Sequence, residues 1–248
     1  VAWSSFITGM NPGQTAILDF VHRDPDTMLP YLSTSRVEEA TKTLSLGRWV
    51  FPLSGSRAVQ LRRGIPWWDT LEDHGISATV VKIPANFPAT GQQGNVLSGM
   101  GTPDIQGTYG RFTFFTTTPN RFKKKLSGGE LTKVSIVENT IKTTLLGPTN
   151  TFLKDQPRAT TELKIYLDPE ALVIKIVIGD TTFILQEKEW SDWVEVEFDL
   201  IPYLKSVSGI CRFYLKGVWP DFELYVTPVN LNPAAPALPI SSPPKFSQ

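Results

Sequence analysis

Hydrophobic and polar positions follow different rhythms along the two parts of this chain. From about residue 130 the segments 131–137, 140–146, 162–167, 172–178, 181–186, 193–198, 210–216 and 221–227 either alternate or run β-branched. Glu138-Asn139, Gly147-Pro148, Asp168-Pro169 and Gly179-Asp180 separate them as turns. Short strands at regular spacing, punctuated by turn residues, predict a β-sandwich or jelly roll over 130–228.

The first stretch, 1–118, reads instead as pieces of an α/β domain. Val1, Phe6 and Ile7 share an apolar helical face, and Gly9 is a natural C-terminal stop before the turn Asn11-Pro12-Gly13. Residues 16–21 form a short apolar run that predicts a strand or strand-loop, and 24–64 is irregular, a long surface excursion. A helix is expected over 65–74, with Pro66 in its first turn and Gly75 closing it. The β-branched run 76–83, ended by Pro84, is the strand that completes an αβ unit. The Gly-rich run 95–104 suits a loop leaving a strand, where α/β sheets gather ligand groups, and 111–116 is a strand that closes this part. The expected class is therefore α/β plus all-β, with a linker at 119–129 and an extended Pro-rich linker at 229–248. There is no internal repeat.

Composition narrows the function classes. At 248 residues the chain can bury a sizeable core. Lys+Arg and Asp+Glu are equal at 24 each, so no general field favours nucleic acid or an anionic membrane. No apolar run reaches the roughly 18 residues of a membrane span. Cys211 is the only cysteine, with Ile210 and Phe213 as neighbours, and is expected as a buried strand thiol. The only histidines are His22 and His74. A zinc ion needs three or four N, S or O ligands, so a two-zinc site is not expected from this chain alone.

The run Trp3-Ser4-Ser5-Phe6-Ile7-Thr8-Gly9, then Asn11-Pro12-Gly13, then Thr15-Ala16-Ile17-Leu18-Asp19 resembles the type I phosphodiesterase/nucleotide pyrophosphatase branch of the alkaline phosphatase superfamily. The likeness continues, in the same order, through Gly75-Ile76 to Pro84 and through Ser98-Gly99-Met100 to Pro103-Asp104, covering roughly 1–115. Thr15-Ala16 stands where the family has His-Gly, and Phe20 where many nucleotide pyrophosphatases place a phosphate-binding Asn. The resemblance implies a partial alkaline-phosphatase-like α/β domain with the β-sandwich inserted into it. It implies a Ser or Thr nucleophile just before Val1, and two divalent metals, zinc foremost, in the intact enzyme. Since neither the nucleophile nor the metal ligands are expected within these residues, the chain reads as an interior piece, inert in isolation and binding no cofactor itself. Its partner is a phosphate-ester substrate, in the intact protein.

Within Asp19-Phe20-Val21-His22-Arg23-Asp24-Pro25, His22 and Arg23 are the candidate substrate-binding residues: a planar guanidinium pairs two phosphate oxygens. A surface Arg-Asp pair with a solvated His is the plainer reading. Asp73-His74-Gly75 matches part of a superfamily metal motif, yet its helix-end context suits a simple cap. The Ser98–Gly101 loop offers backbone N–H groups to an anion, or is a plain tight turn. Arg121-Phe122-Lys123-Lys124-Lys125 reads as a solvated hinge, and Trp190-Ser191-Asp192-Trp193 as structural aromatic packing. Alternatives to a hydrolase are a sandwich that binds a glycan or a protein through exposed Trp190, Trp193 or Trp219, and a structural lid or oligomerisation surface.

Overall fold

A computed structural model of the chain describes residues 1–38, 40–55, 57–91, 94–122 and 126–248. In chain order the regular elements are α1 (Ala2–Thr8), α2 (Pro12–Thr15), β1 (Val21–Arg23), β2 (Pro30–Leu32), β3 (Ser35–Glu38), β4 (Thr43–Leu46), β5 (Trp49–Pro52), β6 (Arg57–Gln60), α3 (Trp67–Asp73), β7 (Thr79–Ile83) and β8 (Asn95–Ser98). They continue as β9 (Phe112–Thr116), β10 (Gly129–Lys133), β11 (Thr140–Thr149), β12 (Arg158–Asp168), β13 (Val173–Ile178), β14 (Thr181–Gln186), β15 (Val194–Ile201), β16 (Lys205–Cys211), β17 (Phe213–Gly217), β18 (Glu223–Val226), β19 (Asn230–Leu231) and β20 (Ser241–Ser242). Strand dominates and helix is sparse. The chain divides into two units: Val1–Leu44, Phe51–Thr102 and Leu238–Gln248 form the first, Ser45–Val50 and Pro103–Ala237 the second.

In the second unit, β11-β12-β13-β14 is an antiparallel sheet whose alternation is visible in its pairs. Ile141 faces Ile165, Ile165 faces Ile176 and Ile176 faces Phe183, giving one apolar row across four strands. That row, Val196 and Phe198 of β15, and Phe213, Leu215, Leu224 and Phe115 of the sheet β10-β9-β18-β17 belong to a single core. Each such side chain stabilises the fold by roughly 1.5–3 kcal/mol on burial. The third sheet is β15-β16-β19. Phe112–Thr116, expected to close the first region, pairs instead with β10 and β18 inside this unit. The single strand expected over 210–216 is two, β16 and β17, broken at Arg212.

The first unit is smaller-featured. Gly9 ends α1 in the left-handed conformation, φ 67°, and Gly75 follows α3 with φ 75°. Asn11 and Gln14 form a reciprocal capping box at α2. Strands β7 and β8 run parallel, and β20 joins the free edge of β8 in antiparallel sense. Ile7, Trp68, Val80 and Val96 form its core. Two expectations are corrected here. The strand at 16–21 is only Val21–Arg23, because Ala16 closes α2 at φ 62° and the N–H groups of Leu18 and Asp19 turn onto the His22 ring. The tail 229–248 is not a free linker: Val229, Leu231, Ile240 and Ser241 are buried, and β19 and β20 pair with sheets.

Candidate functional site

The backbone of residues 61–63 is held on both sides. Leu61 N–H donates to Thr34 O at 3.0 Å and Arg63 N–H to Thr15 O at 2.9 Å. Arg62, between them, is only 8% exposed, and its guanidinium lies 6.0 Å from the centre of the Trp68 ring. Its Nη2 donates to Gln60 Oε1 at 3.0 Å and to Asn86 Oδ1 at 3.4 Å. Nε and Nη1 reach no acceptor among the described residues. Burial pulls the Arg62 pKa down to about 10, and the Asp69 carboxylate acts in the opposite sense. Desolvating a guanidinium costs several kcal/mol unless its donors and charge are matched, so this arginine is held in a state that asks for an acceptor.

Asn86 is fully buried in the connection from β7 to β8. Its Oδ1 also accepts from Thr90 Oγ1 at 3.1 Å and Gln60 Nε2 at 3.3 Å, while its backbone O accepts from Ser98 Oγ at 2.8 Å. The amide orientation follows from chemistry: a guanidinium only donates, so the oxygen faces Arg62. Nδ2 is left without an acceptor among the described residues. The nearby helix α3 buries Trp68, Asp69 and Glu72, and Trp68 Nε1 donates to Thr90 O at 3.1 Å.

The residues singled out by sequence lie elsewhere. His22 and Arg23 sit on the hairpin of β1 and β2, where His22 pairs with Tyr31 and Arg23 with Pro30. The His22 ring is half-buried against Tyr31, and its Nε2 accepts N–H groups from Leu18 and Asp19, both at 3.1 Å. That acceptance commits the Nε2 lone pair. Arg23 is exposed. Asp24 turns back on Thr27 and Asp26, whose hydrogen bonds lower its pKa. His74 ends α3, with Nδ1 2.8 Å from Thr70 O.

Met100 and Gly101 turn after β8, with Thr102 Oγ1 donating to Gly99 O at 2.8 Å. Lys123–Lys125 of the basic cluster lie outside the described residues. Trp190 stacks on Tyr214 and meets Tyr225 edge-on, under the Arg212 guanidinium. Trp193 and Trp219 are exposed.

Among the described residues, no three or more His, Cys, Asp or Glu side chains are grouped to hold a metal. His22 and His74, each with a ring nitrogen turned to backbone, do not fit the paired-metal site implied by the resemblance, and we derive no step through metal. No described helix is long and apolar enough to cross a membrane.

Sequence reasoning missed Arg62 and Asn86, which are joined only by folding. The one local signal was polarity inside apolar text: the Arg62-Arg63 pair before Gly64, and Asn86 within Ile83-Pro84-Ala85-Asn86-Phe87-Pro88. Comparison of the chain with family models, with curated proteins and with solved structures finds no match.

Proposed function

We propose that these residues belong to a metal-dependent hydrolase of phosphoric esters, in the manner of the type I phosphodiesterase branch of the alkaline phosphatase superfamily. On this reading the first unit is part of an alkaline-phosphatase-like α/β domain and the second is a β-sandwich inserted into it. The observation that carries the reading is the joint placement of the resembling segments. Trp3–Gly9, Asn11–Gly13, Thr15–Asp19, Gly75–Pro84 and the Ser98–Thr102 part of the last segment fall in one unit, at helix caps and at the ends of the parallel pair β7 and β8, while Pro103 and Asp104 belong to the second unit. Ends of parallel strands are where α/β folds place ligand contacts. These residues supply ester binding rather than the metal centre, with exposed Arg23 offering its fork to a phosphoryl group.

Hydrolysis of bis(p-nitrophenyl) phosphate and p-nitrophenyl phosphate tests this. Protein carrying these residues in their full coding context should turn one of them over with Zn²⁺ or Mn²⁺, and lose the activity to a chelator. The 248 residues alone should be inert. Absence of metal-dependent turnover across both esters in the full protein would refute the reading.

A second reading rests on the exposed indoles of Trp193 and Trp219, 57% and 63% accessible. It makes the sandwich a module for a glycan or protein partner, and expects ligand-dependent quenching of Trp fluorescence with no ester turnover.

A further inference from the structure

In the second unit, β14 ends the sheet β11-β12-β13-β14 with an open edge. Gly179-Asp180 close a two-residue hairpin with Ile178 opposite Thr181, so Thr181, Phe183 and Leu185 direct their backbone groups to β13. The N–H and C=O groups of Thr182, Ile184 and Gln186 therefore point to the open side. Gln186 turns both of its groups onto Glu189: its N–H donates to Oε2 at 2.7 Å, and its O accepts from the Glu189 N–H at 3.2 Å. Those of Thr182 and Ile184 reach no partner among the described residues.

The features that keep strand edges from pairing between chains are missing here. Residues 181–186 carry no charge, proline, glycine or register shift, and Ile184 is 65% exposed. By contrast, β11 carries Lys142, Pro148 and a register shift between Leu146 and Thr149. β15 exposes Glu195, Glu197 and Asp199, and residues 188–191 hydrogen-bond along the outer side of β17.

We propose that β14 is a dimerisation edge, pairing antiparallel with β14 of a second copy of this chain about a twofold axis at Phe183. In that register Thr182 faces Ile184 of the second copy and Ile184 faces its Thr182. The free N–H and C=O groups of both residues then close into interchain hydrogen bonds. Phe183 meets Phe183 of the second copy at a non-hydrogen-bonded position, where side chains stand closest. Phe183 is the half-buried end of the row Ile141, Ile165, Ile176 and Phe183, so the twofold axis joins two such rows into one and covers the end left open. That self-complementarity selects a second copy over an unrelated strand. Because each copy contributes the same edge, association stops at two. This surface goes beyond the hydrolase reading and does not depend on ester turnover.

Sedimentation velocity of the full protein over rising concentration tests this, with far-UV circular dichroism to confirm the folding of each variant. A contact of this size is weak, so the wild type should pass reversibly from monomer to dimer by roughly 0.1 mM. Ile184→Lys sets a cation on the edge and should weaken the dimer by roughly tenfold or more. Thr182→Pro removes an N–H that points away from β13, a loss an edge strand tolerates, and should weaken the dimer to a similar degree. Amide exchange gives a readout that needs no variant: Thr182 and Ile184 should exchange freely in dilute wild type and slow by roughly tenfold or more as the dimer forms. A wild type that stays monomeric to roughly 0.1 mM overturns the proposal. So does a dimer that survives both substitutions, or association that leaves the Thr182 and Ile184 amides in free exchange.

Discussion

Gly147 in β11 lies against the side chain at the centre of the second unit's core. A Cβ added there would stand 2.3 Å from Phe198 Cδ1, 2.5 Å from Cγ and 2.7 Å from Cε1. Carbon pairs settle at about 3.5–4.0 Å, so Gly147→Ala forces the ring to retreat by about an ångström or more. Phe198 is fully buried and packed within the core cluster, so it has nowhere to go. Over-packing of this kind costs about 1–3 kcal/mol. It outweighs the roughly 0.4–1 kcal/mol that Gly→Ala returns by restricting the unfolded chain. Gly55 supplies the control, since no atom of the described residues lies within 4 Å of its added Cβ and its backbone is not left-handed; Gly55→Ala should be neutral or stabilising.

Calorimetric unfolding is the assay. The midpoint of Gly147→Ala should fall by several degrees, at about 2–4 °C per kcal/mol for a chain of this size. Phe198→Leu should cost less in the Gly147→Ala background than alone, because the two share one volume. A Gly147→Ala midpoint at or above the wild type, or strict additivity with Phe198→Leu, would refute the reasoning.

Asn11→Ala removes the side-chain half of the capping box at α2, the Oδ1 that accepts from Gln14 N–H, and should cost about 0.5–2 kcal/mol in urea unfolding. Burial raises the Cys211 thiol pKa to about 12 against an ordinary 9.0, so it should be silent to a disulfide reagent such as DTNB at pH 8 until the protein unfolds. The same shift favours the folded state fully below pH 9.0, and the contribution should fade as pH rises from there towards 12 in alkaline melts of wild type against Cys211→Ala. Arg23→Ala in the full protein should lower kcat/KM for the phosphate ester by roughly 10–100-fold, the worth of a charge-assisted hydrogen bond; an unchanged value would remove Arg23 from the site.

The strand-rich character of the second unit was legible because its long strands each bury one face. In β12 the alternation Leu163, Ile165, Leu167 is set by the pleat itself; Asp168 is its last residue, and Pro169 and Gly179-Asp180 fall outside the strands. The helix over 65–74 survived as Trp67–Asp73 because Pro66 and Gly75 punctuate it. The tail misled because proline was read as linker chemistry. Pro239 and Pro243 instead flank a two-residue edge strand, where a missing N–H on the open side is tolerated, and Ser242 Oγ ties the tail to Gly91 O. The stretch at 16–21 misled because its hydrophobicity belongs largely to one residue: Ile17 is 2% exposed, whereas Leu18 and Phe20 face outwards. The Arg62 and Asn86 constellation left almost no trace in the text, since Gln60 and Arg62 lie two residues apart at the end of β6 while Asn86 and Ser98 are brought to them only by folding.

The proposal that matters most is metal-dependent hydrolysis of a phosphoric ester. Release of p-nitrophenolate from bis(p-nitrophenyl) phosphate and p-nitrophenyl phosphate, with Zn²⁺ or Mn²⁺ and again after chelation, tests it most directly in the full protein. Turnover of one ester that disappears with the chelator is the predicted result. No metal-dependent turnover of either ester would contradict it.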